Sequence, residues 1–393
     1  MRSTPLATQT FFKRAMAVAE HYGFCNVDDL ALHERPPCES AHTVETPLAG
    51  PGKIDSHVIE YALSRLTESI ELRKRNAVLF YTPSLVRHAG TPGSTLSAIT
   101  LNAIGSPDPL TEIVVMKSAA TILEELGNAN SMLRINSLGD SDSATRFVRE
   151  VGTKLRQVAK DLPPPLAELL RQDVRAAIAQ CYEERHPITE TLPRPIEFLT
   201  APSRRHFKQI LELLEQTGIP FEIDDMLYGN QNMYAHTIFE FVSAAPVPGT
   251  SPTILARGGR YDTLTRSHAR SAVPATGVVI AFPTGHTEST DPIARLRVKK
   301  PSTCLVHIGR EARIKSISII EAFRRARIPI GQCLQFERFS EQVAYAESRG
   351  ARYIIILGQR EVHDNVVVIR DVSDRSQKTI PLATLTDFVR AVV

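Results

Sequence analysis

Ala256-Arg-Gly-Gly-Arg-Tyr-Asp262-Thr-Leu264 is the stretch from which the rest of this chain can be read. Two glycines beside an Arg-Tyr-Asp triplet at a strand edge gather backbone and side-chain donors around a small cavity. The plainer alternative is a tight turn in which Arg260 and Asp262 pair with each other. Residues 221–242 and 252–257, upstream of it, read as strands, with a turn around Pro246-Val-Pro-Gly249. Downstream, 274–282 (PATGVVIAF) is an apolar strand. Farther upstream, 77–81 and 96–104 form the arms of a hairpin joined by Gly90-Thr-Pro-Gly93, and Arg87 rides on its first arm. The second arm alternates apolar and small polar residues, the mark of a half-buried antiparallel strand. Residues 10–23, 53–72, 109–126 and 203–216 carry helical spacing, while 26–52 is polar and Pro-rich and reads as loop. These elements describe an α+β body, an antiparallel sheet flanked by helices.

Two further regions differ in pattern. Residues 141–185 are charged, alanine-rich and helical, broken at Pro163-Pro164-Pro165, and read as a helical insertion spanning 141–200 of a core that covers 1–290. Residues 285–301 are polar and charged and serve as the linker. From 302 to 393, strands alternate with helices of 10 to 15 residues, which implies βαβ units in a small α/β domain.

Composition limits the classes open to the chain. Its 393 residues are 42% hydrophobic and 23% charged, which argues against disorder, a collagen-like chain and a membrane protein. The five cysteines form no CxxC pair, so a disulfide scaffold or zinc ribbon is not expected, and no metal site is assigned. The N-terminus lacks an apolar signal-like core, so a cytoplasmic location is expected. A net charge of +3 permits nucleic acid without demanding it. No GxxxxGK[ST], HExxH or GxSxG motif is present.

GGRYD followed by Leu resembles the second histidine signature of histidyl-tRNA synthetases. Other segments resemble that family in the same order. Arg134-Ile-Asn-Ser-Leu-Gly-Asp140 looks like the lead into its insertion. Leu227 to Glu240 (LYGNQNMYAHTIFE) sits at its first histidine signature. Residues 303–393, notably Arg349 to Gly358, look like its anticodon-binding domain. The resemblance implies a class II synthetase core with a helical insertion and a C-terminal α/β domain, usually a homodimer. It also implies histidine and tRNA, most simply histidine tRNA, as partners, with ATP and Mg2+ if the protein is active.

Histidine activation needs the ATP phosphates clamped and the charge at the α-phosphate neutralised. Arg suits both because its rigid, permanently charged fork grips phosphate oxygens. By resemblance, Arg87 stands at the arginine that contacts the α-phosphate and the carboxylate. Ala89 stands where a Glu reads adenine. Gly229-Asn-Gln-Asn-Met-Tyr234 occupies the place of Arg-Gly-Leu-Asp-Tyr-Tyr, so the arginine is Gly229, the first tyrosine is Met233, and only Tyr234 survives. In motif 3, Gly277 to Thr284 ends in Thr284 where an arginine is usual, and no Arg occurs between Arg270 and Arg295. Losing one fixed charge of this kind costs roughly a factor of 10² in rate. The residues left for substrate are Tyr234, Gly258, Gly259, Arg260, Tyr261 and Asp262; Tyr234 reads equally as a half-buried strand aromatic.

Phe336, Arg338 and Phe339 form the one aromatic–basic cluster of the C-terminal domain suited to unstacked RNA bases, the alternative being that both rings are core. The sequence therefore reads as a histidyl-tRNA synthetase-like, tRNA-binding protein with impaired activation. A divergent working ligase that has recruited His88, Arg257 or His236 is the first alternative. A regulatory histidine-binding module, similar to the synthetase-like subunit of ATP phosphoribosyltransferase, is the second.

Overall fold

The computed structural model describes residues 7–30, 42–46, 58–63, 78–88, 95–229, 233–243, 252–268, 273–283 and 301–392. The chain runs from α1 (Thr8–His21) through β1 (Cys25–Asn26), α2 (Val27–Leu30), β2 (His42–Thr46) and α3 (58–63) to the hairpin β3 (Val78–His88) and β4 (Thr95–Ile104). Helix α4 (Pro109–Glu125) and strand β5 (Met132–Gly139) follow. The insertion comprises α5 (Ser141–Gln157), α6 (Pro164–Gln172) and α7 (Val174–Glu183). The core resumes with α8 (Ala201–Thr217), β6 (Phe221–Ile223), β7 (Ala235–Val242), β8 (Ile254–Arg260), α9 (Asp262–His268) and β9 (Ala275–Pro283).

Among the described residues these strands make a nine-stranded sheet in the order β1-β3-β4-β9-β8-β7-β5-β6, with β2 also on β3. From β3 to β5 every neighbouring pair is antiparallel. The segment 26–52, expected to be loop, holds α2 and β2, and β2 pairs in parallel with Ser84–His88. The β-branched run Thr43, Val44, Thr46 supports a strand there, but the proline-rich flanks masked it. The expected linker 285–301 lies, except for Pro301, outside the described residues, as does the bend 89–94.

Alternation along the strands gives the sheet two unlike faces. On β4, Ile99, Leu101 and Ala103 join the core formed with α1, α4 and α8. Ala98 and Ile104 join a second core shared with α3 and the insertion. The helices have ordinary local causes. Asp108 caps α4, accepting from Leu110 N at 3.0 Å, and Pro109 supplies a preset first residue. Helix α8 stops at Gly218, whose φ of 67° is the left-handed conformation glycine tolerates.

A polar knot ties the insertion's entry to its exit. Asp140 caps α5 through Ser143 N at 2.9 Å and accepts from the Thr200 hydroxyl at 2.5 Å. Thr200 in turn caps α8 through Ser203 N at 3.3 Å, while Asp140 N donates to Ser203 Oγ at 3.1 Å.

The C-terminal part carries β10 (Thr303–His307), α10 (Arg310–Arg325), β11 (Gly331–Gln332), α11 (Phe339–Ser348), β12 (Tyr353–Leu357), α12 (Gln359–His363), β13 (Val366–Asp371), β14 (Gln377–Pro381) and α13 (Leu385–Val392). Its sheet has the order β11-β10-β12-β13-β14, parallel over the first three strands and antiparallel after them. The strand expected over 328–332 shrinks to Gly331–Gln332.

This domain docks on the end of α1. Gln332 Nε2 donates to the Tyr22 carbonyl at 2.6 Å, and the Tyr22 hydroxyl donates to Glu321 Oε2 at 2.9 Å. Arg313 pairs with Asp108, and Arg324 with Glu125. Glu321 is largely shut from water, yet its pKa falls to about 2: burial would raise it, but Arg324, Tyr22 and Arg325 together overcome that.

Candidate functional site

Tyr234 and the Gly258–Asp262 stretch lie on or beside the central strands of the large sheet, but they do not share a face. Gly258 and Gly259 lie on β8, where a side chain has no room. A Cβ at Gly258 would stand 2.3 Å from the Gly277 carbonyl oxygen, and one at Gly259 would stand 2.5 Å from the Thr237 carbonyl oxygen. Both glycines therefore serve close strand packing. Tyr234 is buried, its ring wedged between Gly229 and Gly259: added Cβ atoms there would each come within 2.9 Å of it.

Position 229, where the resembled family carries an arginine, is covered. A Cβ at Gly229 would meet Ile238 Cδ1 at 2.5 Å as well as the Tyr234 ring. Any side chain there must first displace both. Met233, at the second departure from the signature, is itself buried.

Arg260 and Tyr261 diverge. Arg260 ends β8 and turns toward the helical layer, where its guanidinium bonds Glu112 of α4 at 3.1 Å and Asp262 at 2.8 Å. Glu112 is wholly buried and also receives His206 Nε2 at 2.7 Å. Burial alone would raise the Glu112 pKa; the His206 bond and Arg260 hold it at about 2. The His236 ring lies 5.7 Å from that of His206, tilted by 51°, and burial, then Arg260, push its pKa down. The Arg260 charge is thus met by two carboxylates of its own chain, and the Arg260–Asp262 pair of the plainer reading is present. Asp262 has a second duty, since its Oδ1 accepts from Ala275 N at 2.9 Å.

Tyr261 packs on the other face, in the core shared with Tyr234 and the insertion. It is fully buried, and its hydroxyl donates to Asn102 Oδ1 at 2.7 Å. Asn102 donates in turn to Thr100 Oγ1 at 3.1 Å. Arg257 shares this face, reaching the Tyr228 carbonyl at 2.6 Å and Glu183 of the insertion at 3.5 Å. Glu240 lies opposite it in register, its pKa raised by burial against the pull of Arg257 and Arg134. These placements differ from the expectation that Arg260, Tyr261 and Asp262 gather around one ligand.

Arg87 lies on β3 in register with Thr95 of β4 and Glu45 of β2, and its side chain is outside the described residues. Thr284 is outside them too; β9 ends at Pro283. Glu112, His206 and Asn102 were not singled out as site residues. Glu112 sits in the first turn of a helix, where a carboxylate needs no partner beyond the helix dipole to explain it.

In the C-terminal domain the aromatic–basic cluster splits. Phe336 is half-buried, 5.1 Å from the Tyr345 ring in a small core with Cys304 and Cys333. Arg338 and Phe339 open α11 and face solvent; Arg338 is 79% exposed, with Glu341 at 3.8 Å. Among the described residues, no group of three His, Cys, Asp or Glu could hold a metal ion, and no helix is long and apolar enough to cross a membrane.

Comparison with known proteins bears on the same regions. Residues 304–392 match the Anticodon binding domain family. The histidine–tRNA ligase of Bacillus velezensis is 29% identical over 297 residues, 74% of this chain and 69% of that protein. That of Rhodospirillum rubrum is 29% identical over 319 residues, 79% of this chain and 74% of its own length. The chain is thus similar to histidyl-tRNA synthetases over about three quarters of its length. The Geobacillus kaustophilus histidine–tRNA ligase aligns to the same extent, 28% identical over 74% of this chain and 68% of that protein. As in histidyl-tRNA synthetases, a class II core with a C-terminal anticodon-binding-type domain accounts for the two sheets. The likeness leaves open whether this chain performs the reaction, because activity resides in the site and not in the fold.

Proposed function

We propose that this protein is a tRNA-binding histidyl-tRNA synthetase paralogue whose site no longer activates histidine. The observation that carries the reading is the closure of position 229. Where an arginine would meet the α-phosphate there is a glycine, and the space beside it holds Ile238 and the Tyr234 ring. Arg260 cannot substitute, because it lies among the helices with Glu112 and Asp262 neutralising it. The residues around the site fit ATP phosphates with Mg2+ poorly: glycine and threonine stand at two of the three arginine positions, which leaves Arg87, and among the described residues no carboxylate trio could hold the metal.

The tRNA side rests on the anticodon-binding-type domain. Phe339 and Arg338 offer a stacking ring and a guanidinium plane to unstacked bases. The reading places the protein in the cytoplasm as a homodimer that holds histidine tRNA. Aminoacylation of unfractionated tRNA with labelled histidine, run beside a tRNA retention assay, tests it. Retention without charging is the expected outcome, and charging above background overturns it.

One observation favours a second reading, an active divergent ligase: Arg257 lies on the same face as Tyr234, held by the Tyr228 carbonyl. In that case Arg257→Ala abolishes charging.

A further inference from the structure

A groove of about 870 Å3 runs between the outer side of α1 and the end of α10. Its basic side chains are Lys13 and Arg14 from α1, and Arg324, Arg325 and Arg327 from α10 and the turn after it. Two carboxylates, Glu20 and Glu125, stand against them. His21 adds no charge at neutral pH, because burial lowers its pKa. Glu321 and Glu124 also pair with Arg324 beside the groove, so five cations face four carboxylates there.

Two of the cations have local explanations. Arg324 and Arg325 pair with Glu321 at 2.8 and 2.9 Å and complement the C-terminal end of α10. The other three do not. Lys13 and Arg327 have no ion-pair partner among the described residues, and Arg14 reaches only the Glu125 backbone carbonyl at 2.9 Å. All three are exposed. Arg327 holds a left-handed φ of 56° in the turn after α10, which Ile328 N closes by donating to the Phe323 carbonyl at 2.9 Å. Like charges collected in a concavity without partners repel each other, and a polyanion relieves that repulsion.

We infer that this groove takes the sugar–phosphate backbone of an RNA, with Lys13, Arg14 and Arg327 as phosphate contacts. The inference rests on the tRNA-binding reading above. It adds that RNA crosses the seam between core and C-terminal domain, along a groove that Arg338 and Phe339 do not line. RNA is favoured over a membrane because the site is concave, and over a phosphopeptide because one wall is built by the domain that matches the anticodon-binding family.

The test is the salt dependence of binding of fluorescently labelled unfractionated tRNA to the full-length protein. Lys13→Ala/Arg327→Ala is compared with Arg375→Ala/Lys378→Ala, which removes equal charge elsewhere in the C-terminal domain. Each lost phosphate contact lowers the slope of log K against log[salt] by about 0.7 to 0.9. The groove variant should therefore lose about 1.5 units of slope, and the control should keep the wild-type slope. Wild-type slope in both variants overturns the groove while leaving tRNA binding intact. An equal loss in both reduces the effect to net charge and also overturns the groove. No tRNA binding by the wild-type protein removes the tRNA reading, and the groove with it.

Discussion

Arg260 and Tyr261 are chain neighbours that serve opposite faces of one sheet. The Arg260 guanidinium meets Glu112 at 3.1 Å among the helices, while the Tyr261 hydroxyl meets Asn102 at 2.7 Å on the other side. A motif whose residues look like one cluster in the sequence thus does two separate jobs, fixing α4 to the sheet and closing the inner core.

Breaking the first of these should be costly. Glu112→Ala leaves Arg260 buried with Asp262 as its remaining carboxylate, and removal of one partner from a buried pair costs about 3 kcal/mol or more. Urea denaturation should show that loss, and Glu112→Leu/Arg260→Met should recover part of it. A Glu112→Ala variant as stable as wild type would mean the pair contributes nothing.

Close packing at β8 gives a second expectation. Gly259→Ala forces a Cβ to 2.5 Å from the Thr237 carbonyl and 2.9 Å from Tyr234. Overpacking of this kind costs about 1–3 kcal/mol. The midpoint of denaturation should fall accordingly, with the m-value unchanged.

Stability should decline with acidification in two ranges. His21, His236 and His307 all have depressed folded-state pKa values; for His307, burial and then Arg313 bring it to about 4. The unfolded chain therefore binds more protons below pH 6.5, and stability falls from there downward. Glu112 and Glu321, held at about 2, add a second loss as pH drops below about 4.5, the ordinary unfolded-state value. Denaturation free energies measured from pH 8 to pH 3 check both. His307→Gln should shrink the first range only.

The docking of the C-terminal domain hinges on Gly23. Its φ is 84°, and a Cβ there would land 1.6 Å from Gln332 Nε2. Gly23→Ala should cost roughly 1–3 kcal/mol through left-handed strain and should push Gln332 off the Tyr22 carbonyl. Hydrogen exchange should then quicken at the end of α1 and around β11. Unchanged exchange there would contradict this account of the joint.

Much of this arrangement was legible beforehand, for reasons that can be named. The hairpin of β3 and β4 announced itself through alternation, and the α/β pattern after residue 302 through the spacing of its strands. The split between Arg260 and Tyr261 was within reach too, since consecutive residues of a strand point to opposite faces. Glu112 was not, because its partner lies 148 residues away and a carboxylate in a first helical turn is ordinary. Nor was the closure of Gly229, which depends on how Ile238 and Tyr234 pack and not on which residues they are. Strand β2 was hidden by its proline-rich surroundings.

Histidine-dependent ATP–pyrophosphate exchange tests the central claim most directly, because it isolates activation from tRNA. Folded wild-type protein at saturating ATP and histidine should show no exchange above background, and Gly229→Arg/Thr284→Arg should not restore it while Ile238 and Tyr234 fill the space. Exchange in the wild type that disappears in Arg87→Ala would contradict the account and mean a working ligase with a rebuilt phosphate clamp.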